Sequence, residues 1–412
     1  MLRKKFITTL ILVLLSATST AWPAAPPRFV NPRDFAIMPW DPSPSDPAQL
    51  QLMKDAGLNI SGFCAPKDLP QVLAAGLACF VSDPRVNGYN WSKMPPESEL
   101  RTNVNAAVHD VENNPAVLGF FLRDEPGADL MPGLGQVAKL LVDALPDRWP
   151  YINLFPTYAT SAQLASPDYA TYLQRFVQTV HPPFISWDNY SVAEGEMMDR
   201  FYTNLELVRR QSLESQIPFW NIILANTLFN YMEPSDATFR LQVYSTLAYG
   251  GRGIEYFTYF TPEEDNFRLG AIDQFGNRTA TWDMLRRINY QIHALAPTMI
   301  HLHSTGVYHF PDAPPQGHPL SESRLVQDVK ISTSDLRYPD PPQFLVGEFE
   351  DAQGRAYLML VNKDLQQSVH YHFHLKEEGK KLVWISPFTG EDSGDRQAGW
   401  LAPGGGVLLR VE

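Results

Sequence analysis

From residue 35 to about 295, short apolar runs alternate with longer stretches in which apolar residues return every three or four positions. The runs are FAIMPWD (35–41), LNISGFC (58–64), LACFVSD (77–83), AVLGFFLRDE (116–125), YINLFP (151–156), FISWDNY (184–190), PFWNIILAN (218–226) and GIEYFTYF (253–260), eight in all. They read as strands. The intervening segments, among them DPAQLQLMKDAG, SELRTNVNAAVHDVENN, GLGQVAKLLVDAL, DYATYLQRFVQTV, MMDRFYTNLELVRRQSLESQ and DATFRLQVYSTLAYGG, have helical spacing, and several stop at Gly or Pro. Strands alternating with helices pair in parallel through crossovers, and eight such units over about 260 residues predict a closed (β/α)8 barrel rather than an open doubly wound sheet. No GxGxxG follows the first strand, which also argues against a dinucleotide-binding sheet.

Beyond TWDMLRRINYQIHALAPTMI the texture changes. Pro and His cluster at 309–319 and 338–342, and period-two runs follow: FLVGEFE, AYLMLVNK, VHYHFHL, KLVWISP and GVLLRVE, joined by the turn signals DAQG, FTGE and APGGG. The reading is a barrel over 30–302 and a small antiparallel, sandwich-like β-domain over 303–412.

The first residues, MLRKKFITTLILVLLSATSTA, combine a basic start, an apolar run from Phe6 to Leu15 and small residues before a cleavage point after Ala21. This pattern predicts a signal peptide over 1–21, too short to span a membrane comfortably, and a secreted or periplasmic protein with no membrane span once matured. Loss of Arg3, Lys4 and Lys5 takes the formal charge from −12 to about −15. So acidic a chain lacks the basic stripe that nucleic acid requires. Cys64 and Cys79 are too few for a disulfide framework and are read as buried thiols, with export leaving a bond between them open. With no CxxC, no HExxH and no dense His/Cys cluster, no metal and no cofactor are expected. His370, His372 and His374 would line one face of a strand, read as a solvated face.

In such a barrel the chemistry sits at the C-terminal ends of the strands. Those ends carry Trp40 and Asp41, Asp83, Asp124 and Glu125, Asn153, Asp188 with Asn189 and Tyr190, Asn226, and Tyr259. Carboxylates and aromatics around one mouth suit hydrolysis of a glycosidic bond, in which one acid protonates the leaving oxygen while a second carboxylate attacks or activates water. Glu255, near the start of the eighth run, is read as a structural ion-pair partner.

RDEP, ending the fourth run, resembles the Asn-Glu-Pro or Asp-Glu-Pro signature of barrel glycoside hydrolases such as the family 42 β-galactosidases and their clan relatives. YSTLAYGGRGIEYFTY is similar to their last helix and eighth strand. The succession RDEP, INLFP, ISxDxY and PFW also resembles secreted barrel hydrolases. The resemblance implies a glycosidase with Glu125 as general acid/base. It departs at the seventh strand, where the clan carries its nucleophilic Glu and this chain has Asn226. Asp188 is then the candidate second carboxylate. Pairing of fourth- and sixth-strand acids is similar to the α-galactosidase and α-glucosidase barrels, where the two roles are reversed. Asp124, Asp41, Asp83, Trp40, Asn153, Tyr190, Asn226 and Tyr259 are the expected substrate contacts. The alternative is a carbohydrate-binding barrel without turnover. A lyase or esterase is unsupported, because there is no GxSxG and no His at a strand end.

Overall fold

The computed structural model describes residues 35–193, 195–333 and 343–412; the leader-like segment 1–21 and the Pro cluster at 338–342 lie outside the described residues. Eight parallel strands form one continuous ladder: β1 Ala36–Pro39, β2 Ile60–Cys64, β3 Ala78–Val81, β4 Val117–Asp124, β5 Trp149–Leu154, β6 Ile185–Asp188, β7 Phe219–Leu224 and β8 Gly253–Phe257. Hydrogen-bonded neighbours run β1, β8, β7, β6, β5, β4, β3, β2. Each strand is followed by a helix of the outer ring, from Pro47–Asp55 after β1 to Asp236–Ala248 after β7 and Ala280–Met299 after β8. The chain therefore folds as a (β/α)8 barrel.

The strands are buried on both faces, which is why they read as unbroken apolar runs. Ala36, Met38, Ile60, Ala78, Phe80, Leu118, Tyr151, Phe184 and Trp220 fill the interior, and a larger apolar layer lies between strands and helices. Phe184 and Trp220 stack with centroids 4.2 Å apart. A Cβ on Gly253 would lie 2.5 Å from the Trp220 ring, so the bare backbone there makes room for the indole.

The two ends of the ladder meet between β1 and β2, and a side chain does part of the stitching. Asn59 accepts from the Ile37 N–H through Oδ1 at 2.8 Å and donates through Nδ2 to the Phe35 carbonyl at 2.7 Å. Its own N–H reaches the Ile37 carbonyl, and the Phe63 N–H reaches that of Asp41, each at 3.0 Å. Between these contacts Gly62 adopts φ +99°, where a Cβ would stand 2.3 Å from the Asp41 carbonyl oxygen. Cys64 and Cys79 lie on the adjacent strands β2 and β3 with Cα atoms 6.2 Å apart and are disulfide-bonded. That corrects the reading as thiols: neighbouring parallel strands bring the two into bonding range.

The β-domain contains β9 His303–Phe310, β10 Val326–Ser332, β11 Phe344–Glu350, β12 Ala356–Asn362, β13 Val369–Leu375, β14 Leu382–Ile385, β15 Asp392–Asp395, β16 Ala398–Leu401 and β17 Gly406–Val411. One sheet runs β9, β11, β12, β17, β14, β15, with the short His318–Pro319 segment beside β9; the other runs β10, β13, β16. Val326, Val329, Val346, Leu358, Leu360, Tyr371, Phe373 and Leu409 pack in a shared core. His372 and His374 stack on β13 at 4.8 Å and His370 meets the edge of Trp400. Among the described residues no three His, Cys, Asp or Glu side chains are grouped to hold a metal, and no helix is long and apolar enough to cross a membrane.

The larger sheet docks on helix Asp236–Ala248 at bare backbone. Added Cβ atoms at Gly347 and Gly404 would lie 2.2 Å from the Ala248 and Ala237 carbonyl oxygens, and one at Gly406 would lie 2.4 Å from the Tyr244 ring. Arg240 Nε of that helix donates to the Pro403 carbonyl at 2.8 Å.

Candidate active site

The site begins with an irregularity in the ladder between β4 and β5. Phe121 pairs with Tyr151, but after a register slip Arg123 pairs with Ile152 and Asp124 with Asn153. A slip of this kind re-aims every side chain beyond it. Here it sets Asp124 beside the inward-facing Asn153. The Asn153 amide then donates to Asp124 Oδ1 at 3.0 Å and to Asp188 Oδ1 at 2.9 Å, tying the ends of β4 and β6 together.

Glu125 follows with φ 42°, in the left-handed region uncommon for a side-chain-bearing residue. Its N–H is held by the Asn153 carbonyl at 2.9 Å, and the next carbonyl, that of Pro126, accepts from the buried Tyr172 hydroxyl at 2.7 Å. These bonds fix the turn that delivers Glu125 to the mouth.

Electrostatics distinguish the three carboxyls. Burial, and then the charge of Asp124, push Glu125 up to about 7. Asp188 is raised well above the usual carboxylate range, first by burial and then by the charge of Glu125, while the Asn153 donor opposes the rise. Asp124 is raised by burial against the pull of Asn153, Arg123 and the Glu125 N–H. Glu125 and Asp188 thus titrate as an interacting pair with both members raised, and the Asn153 N–H partly offsets the rise at Asp188.

Below this trio the polar chain continues into the barrel. Ser186 Oγ donates to Asn153 Oδ1 at 3.1 Å and lies 3.0 Å from Glu255 Oε1 and 2.7 Å from the Tyr151 hydroxyl. Tyr151 also bonds Glu255 Oε2. Glu255 is fully buried and its partners are hydroxyls, so the ion-pair reading is corrected. Its place in mid-strand on β8, bonded across the barrel interior to side chains of β5 and β6, puts it beneath the trio rather than at the barrel's far end.

Aromatic side chains frame the mouth. Trp40 packs on Phe63, Phe121 and Tyr151 at centroid distances of 4.7, 5.8 and 5.6 Å, forming a floor. Tyr190 stacks on Phe257 at 5.0 Å and meets the edge of Tyr231 at 6.4 Å. Arg200 lies 4.6 Å over the half-exposed Tyr158 ring and donates to the Tyr190 carbonyl. Asn226, buried at the end of β7, donates to Thr258 Oγ1 at 2.6 Å, while its Oδ1 is buried without a hydrogen-bond partner among the described residues. Buried amide oxygens are normally paired, so this acceptor is an exception.

Three of the sequence candidates are engaged elsewhere. Asp41 Oδ2 accepts from the Tyr259 N–H at 2.6 Å, tying the end of β1 to the chain beyond β8. Asp83 caps helix Pro84–Asn87 through the Arg85 N–H and pairs with the Arg85 guanidinium at 2.6 Å. Tyr259 turns outward, its hydroxyl accepting from Trp282 Nε1 at 3.0 Å. Ser186, Glu255, Tyr158 and Arg200 were not among the candidates. The signal for Ser186 was available: ISWD puts it two residues before Asp188, on the same face of a strand.

Three solved structures show the likeness of the fold. A family 5 glycoside hydrolase from Bacteroides vulgatus ATCC 8482 superposes with a TM-score of 0.55 at 13% identity, over 92% of this chain and 88% of that one. For a catalytic mutant of a family 42 β-galactosidase from G. stearothermophilus the TM-score is 0.54 at 10% identity, over 91% and 98%. A β-galactosidase from the psychrophilic Marinomonas ef1 gives 0.51 at 11% identity; the chain covers 62% of that protein's length with 66% of its own. At such identities the shared property is the fold, a barrel with the architecture of the family 42 enzymes. No protein-family model matches the chain, and no curated protein matches it.

Proposed function

We propose that this chain is an exported glycoside hydrolase that cleaves O-glycosidic bonds of an oligo- or polysaccharide with two carboxyl groups, Glu125 as general acid/base and Asp188 as the second carboxylate. The observation that carries the reading is the Asn153 amide shared by Asp124 and Asp188, with Glu125 close enough to both for their charges to interact. A group titrating near neutrality is suited to give a proton to a leaving oxygen and take one back. Glu125, pushed up to about 7, has that property. Asp188 accepts an N–H from Asn153, a bond that supports its ionised form when it attacks the anomeric carbon or activates a water molecule. Asp124 holds the far side of the Asn153 amide and supports the arrangement. Trp40, Tyr190 and Tyr158 offer ring faces to a sugar. The names of the three solved structures, a glycoside hydrolase and two β-galactosidases, agree with this chemistry. Export is supported by the leader-like 1–21 segment and by the Cys64–Cys79 bond, which suits an oxidising compartment.

The test uses aryl glycosides of graded leaving-group acidity. Glu125→Gln is expected to lower kcat/KM by about 10²–10⁴ for poor leaving groups and much less for dinitrophenyl glycosides, which leave without protonation. Asp188→Asn is expected to suppress both alike. If Asp188→Asn instead spares the activated substrates, the two roles are exchanged. A second reading, a sugar-binding barrel without turnover, rests on Asn226 standing where the clan resemblance implies a nucleophilic Glu. Tight oligosaccharide binding with no turnover dependent on Glu125 would establish it.

A further inference from the structure

The chain of contacts beneath the carboxyl trio holds more acceptors than protons. Four oxygen pairs lie within hydrogen-bond distance: Tyr151 hydroxyl with Glu255 Oε2, Ser186 Oγ with Glu255 Oε1, Ser186 Oγ with the Tyr151 hydroxyl, and Ser186 Oγ with Asn153 Oδ1. The two hydroxyls bring one proton each. Were Glu255 ionised, two of the four contacts would set lone pairs against each other. The Ser186 proton would also be contested between a charged oxygen and an amide oxygen, and the charged acceptor makes the stronger bond. Asn153 Oδ1 would then lose its donor. A third proton, on Glu255, cuts the unmatched contacts from two to one and ends the contest for the Ser186 proton. Placed toward Ser186 or toward Tyr151, it releases the Ser186 proton for Asn153; one of the four contacts is left without a proton, and the donated bonds all run one way, from Glu255 through Ser186 to Asn153 and on to Asp124 and Asp188.

We propose that Glu255 is a neutral carboxylic acid that, through Ser186, pins the Asn153 amide with its N–H groups toward Asp124 and Asp188, and is a positioning residue for the carboxyl pair. The assignment rests on the reading of that pair as the reacting groups. The environment favours the neutral form. Glu255, Tyr151 and Ser186 are each fully buried. The register neighbours of Glu255 on the flanking strands are Met38 of β1 and Ile222 of β7. Tyr151, the titratable group bonded to it, has its own hydroxyl held neutral first by burial. Burial pushes Glu255 up to about 8 in spite of the hydrogen bonds from Tyr151 and Ser186.

Infrared spectroscopy of the full-length protein reads both halves of the assignment without a substrate. At pH 7 the difference spectrum of wild type minus Glu255→Gln is expected to contain a protonated-carboxyl band; its absence would overturn the neutral acid. The Asp188 band, identified by its loss in Asp188→Asn, reports the positioning. Ser186→Ala, and independently Glu255→Leu, are expected to raise the Asp188 midpoint by about one pH unit, the shift that corresponds to loss of one hydrogen bond to the anion. Glu255→Gln keeps an N–H toward Ser186 and is expected to leave that midpoint in place. An Asp188 midpoint unmoved by Ser186→Ala, or moved equally by Glu255→Gln, would overturn the positioning role. Failure of the glycosidase reading would appear separately, as an absence of turnover on aryl glycosides with both infrared results intact.

Discussion

Glu125 occupies a costly position. A left-handed backbone at a non-glycine residue costs about 1–2 kcal/mol, and Glu125 sits at φ 42°. Its carboxyl adds a second penalty whose sign follows from proton counting. The folded-state value near 7 lies above the ordinary 4.5, so between those values the folded chain binds more protons than the unfolded one. Stability contributed by the protonated form is therefore full below about 4.5 and is lost as pH rises through about 7. Glu125→Gln is expected to melt at a higher temperature than wild type at pH 8, with the difference shrinking toward pH 4, as calorimetry can measure. A variant that melts lower at pH 8 would mean that the charge serves the fold. This residue was legible in the sequence, because an apolar run ending in RDEP marks a strand end at a barrel mouth. Asp124 was only half legible. The slip that carries it to Asn153 arises from pairing with β5, and nothing local to RDEP specifies it. Glu255 was misread because its partners come from two other strands, β5 and β6.

At the scale of elements, the eight barrel strands were readable because strands buried on both faces must be apolar throughout. The β-domain was readable where apolar runs are bounded by turn signals. β11, β12, β13, β14 and β17 correspond to the period-two runs, whereas β15, with sequence DSGD and every residue exposed, has no apolar position and exists through its ladder with β14. β9 was hidden because it begins in a polar stretch, His303 to Thr305, ahead of its four buried residues. The barrel seam is an element-level feature that depends on one side chain. Asn59→Ala removes the acceptor for the Ile37 N–H and the donor to the Phe35 carbonyl, and is expected to destabilise the fold by about 1–3 kcal/mol in urea titrations. Asn59→Asp keeps the acceptor and loses the donor, and is expected to fall between alanine and wild type at neutral pH. Indistinguishable midpoints for all three would show that the backbone bonds alone close the barrel.

For the whole molecule, the governing feature is the helix Asp236–Ala248. Ten of its residues are buried, including Gln242, Ser245 and Thr246 along with Leu241, Val243 and Leu247, so it has no solvent-facing stripe. One side serves the barrel, where Gln242 bonds the Leu224 backbone; another is covered by the β-domain. A chain ending at residue 302 would expose that second side. It is expected to be insoluble, or to lose its cooperative thermal transition, while the full chain melts as one unit. A soluble truncation with an unchanged melting temperature would show that the barrel is self-sufficient. The sequence announced two regions by a change of texture, but not their interdependence, because a helix buried on all sides has the same spacing as one buried on a single side.

The docking at Gly347, Gly404 and Gly406 has a consequence for inheritance. Where two surfaces meet through side chains, a replacement sheet can adjust its rotamers to a new partner; where they meet through bare backbone, no rotamer is available to adjust. A recombination event that exchanged this β-domain for that of a related barrel would have to supply glycine at the same three places at once. The two halves are therefore expected to descend together, and any natural exchange between lineages should have its crossover outside the pair rather than at the junction near residue 302.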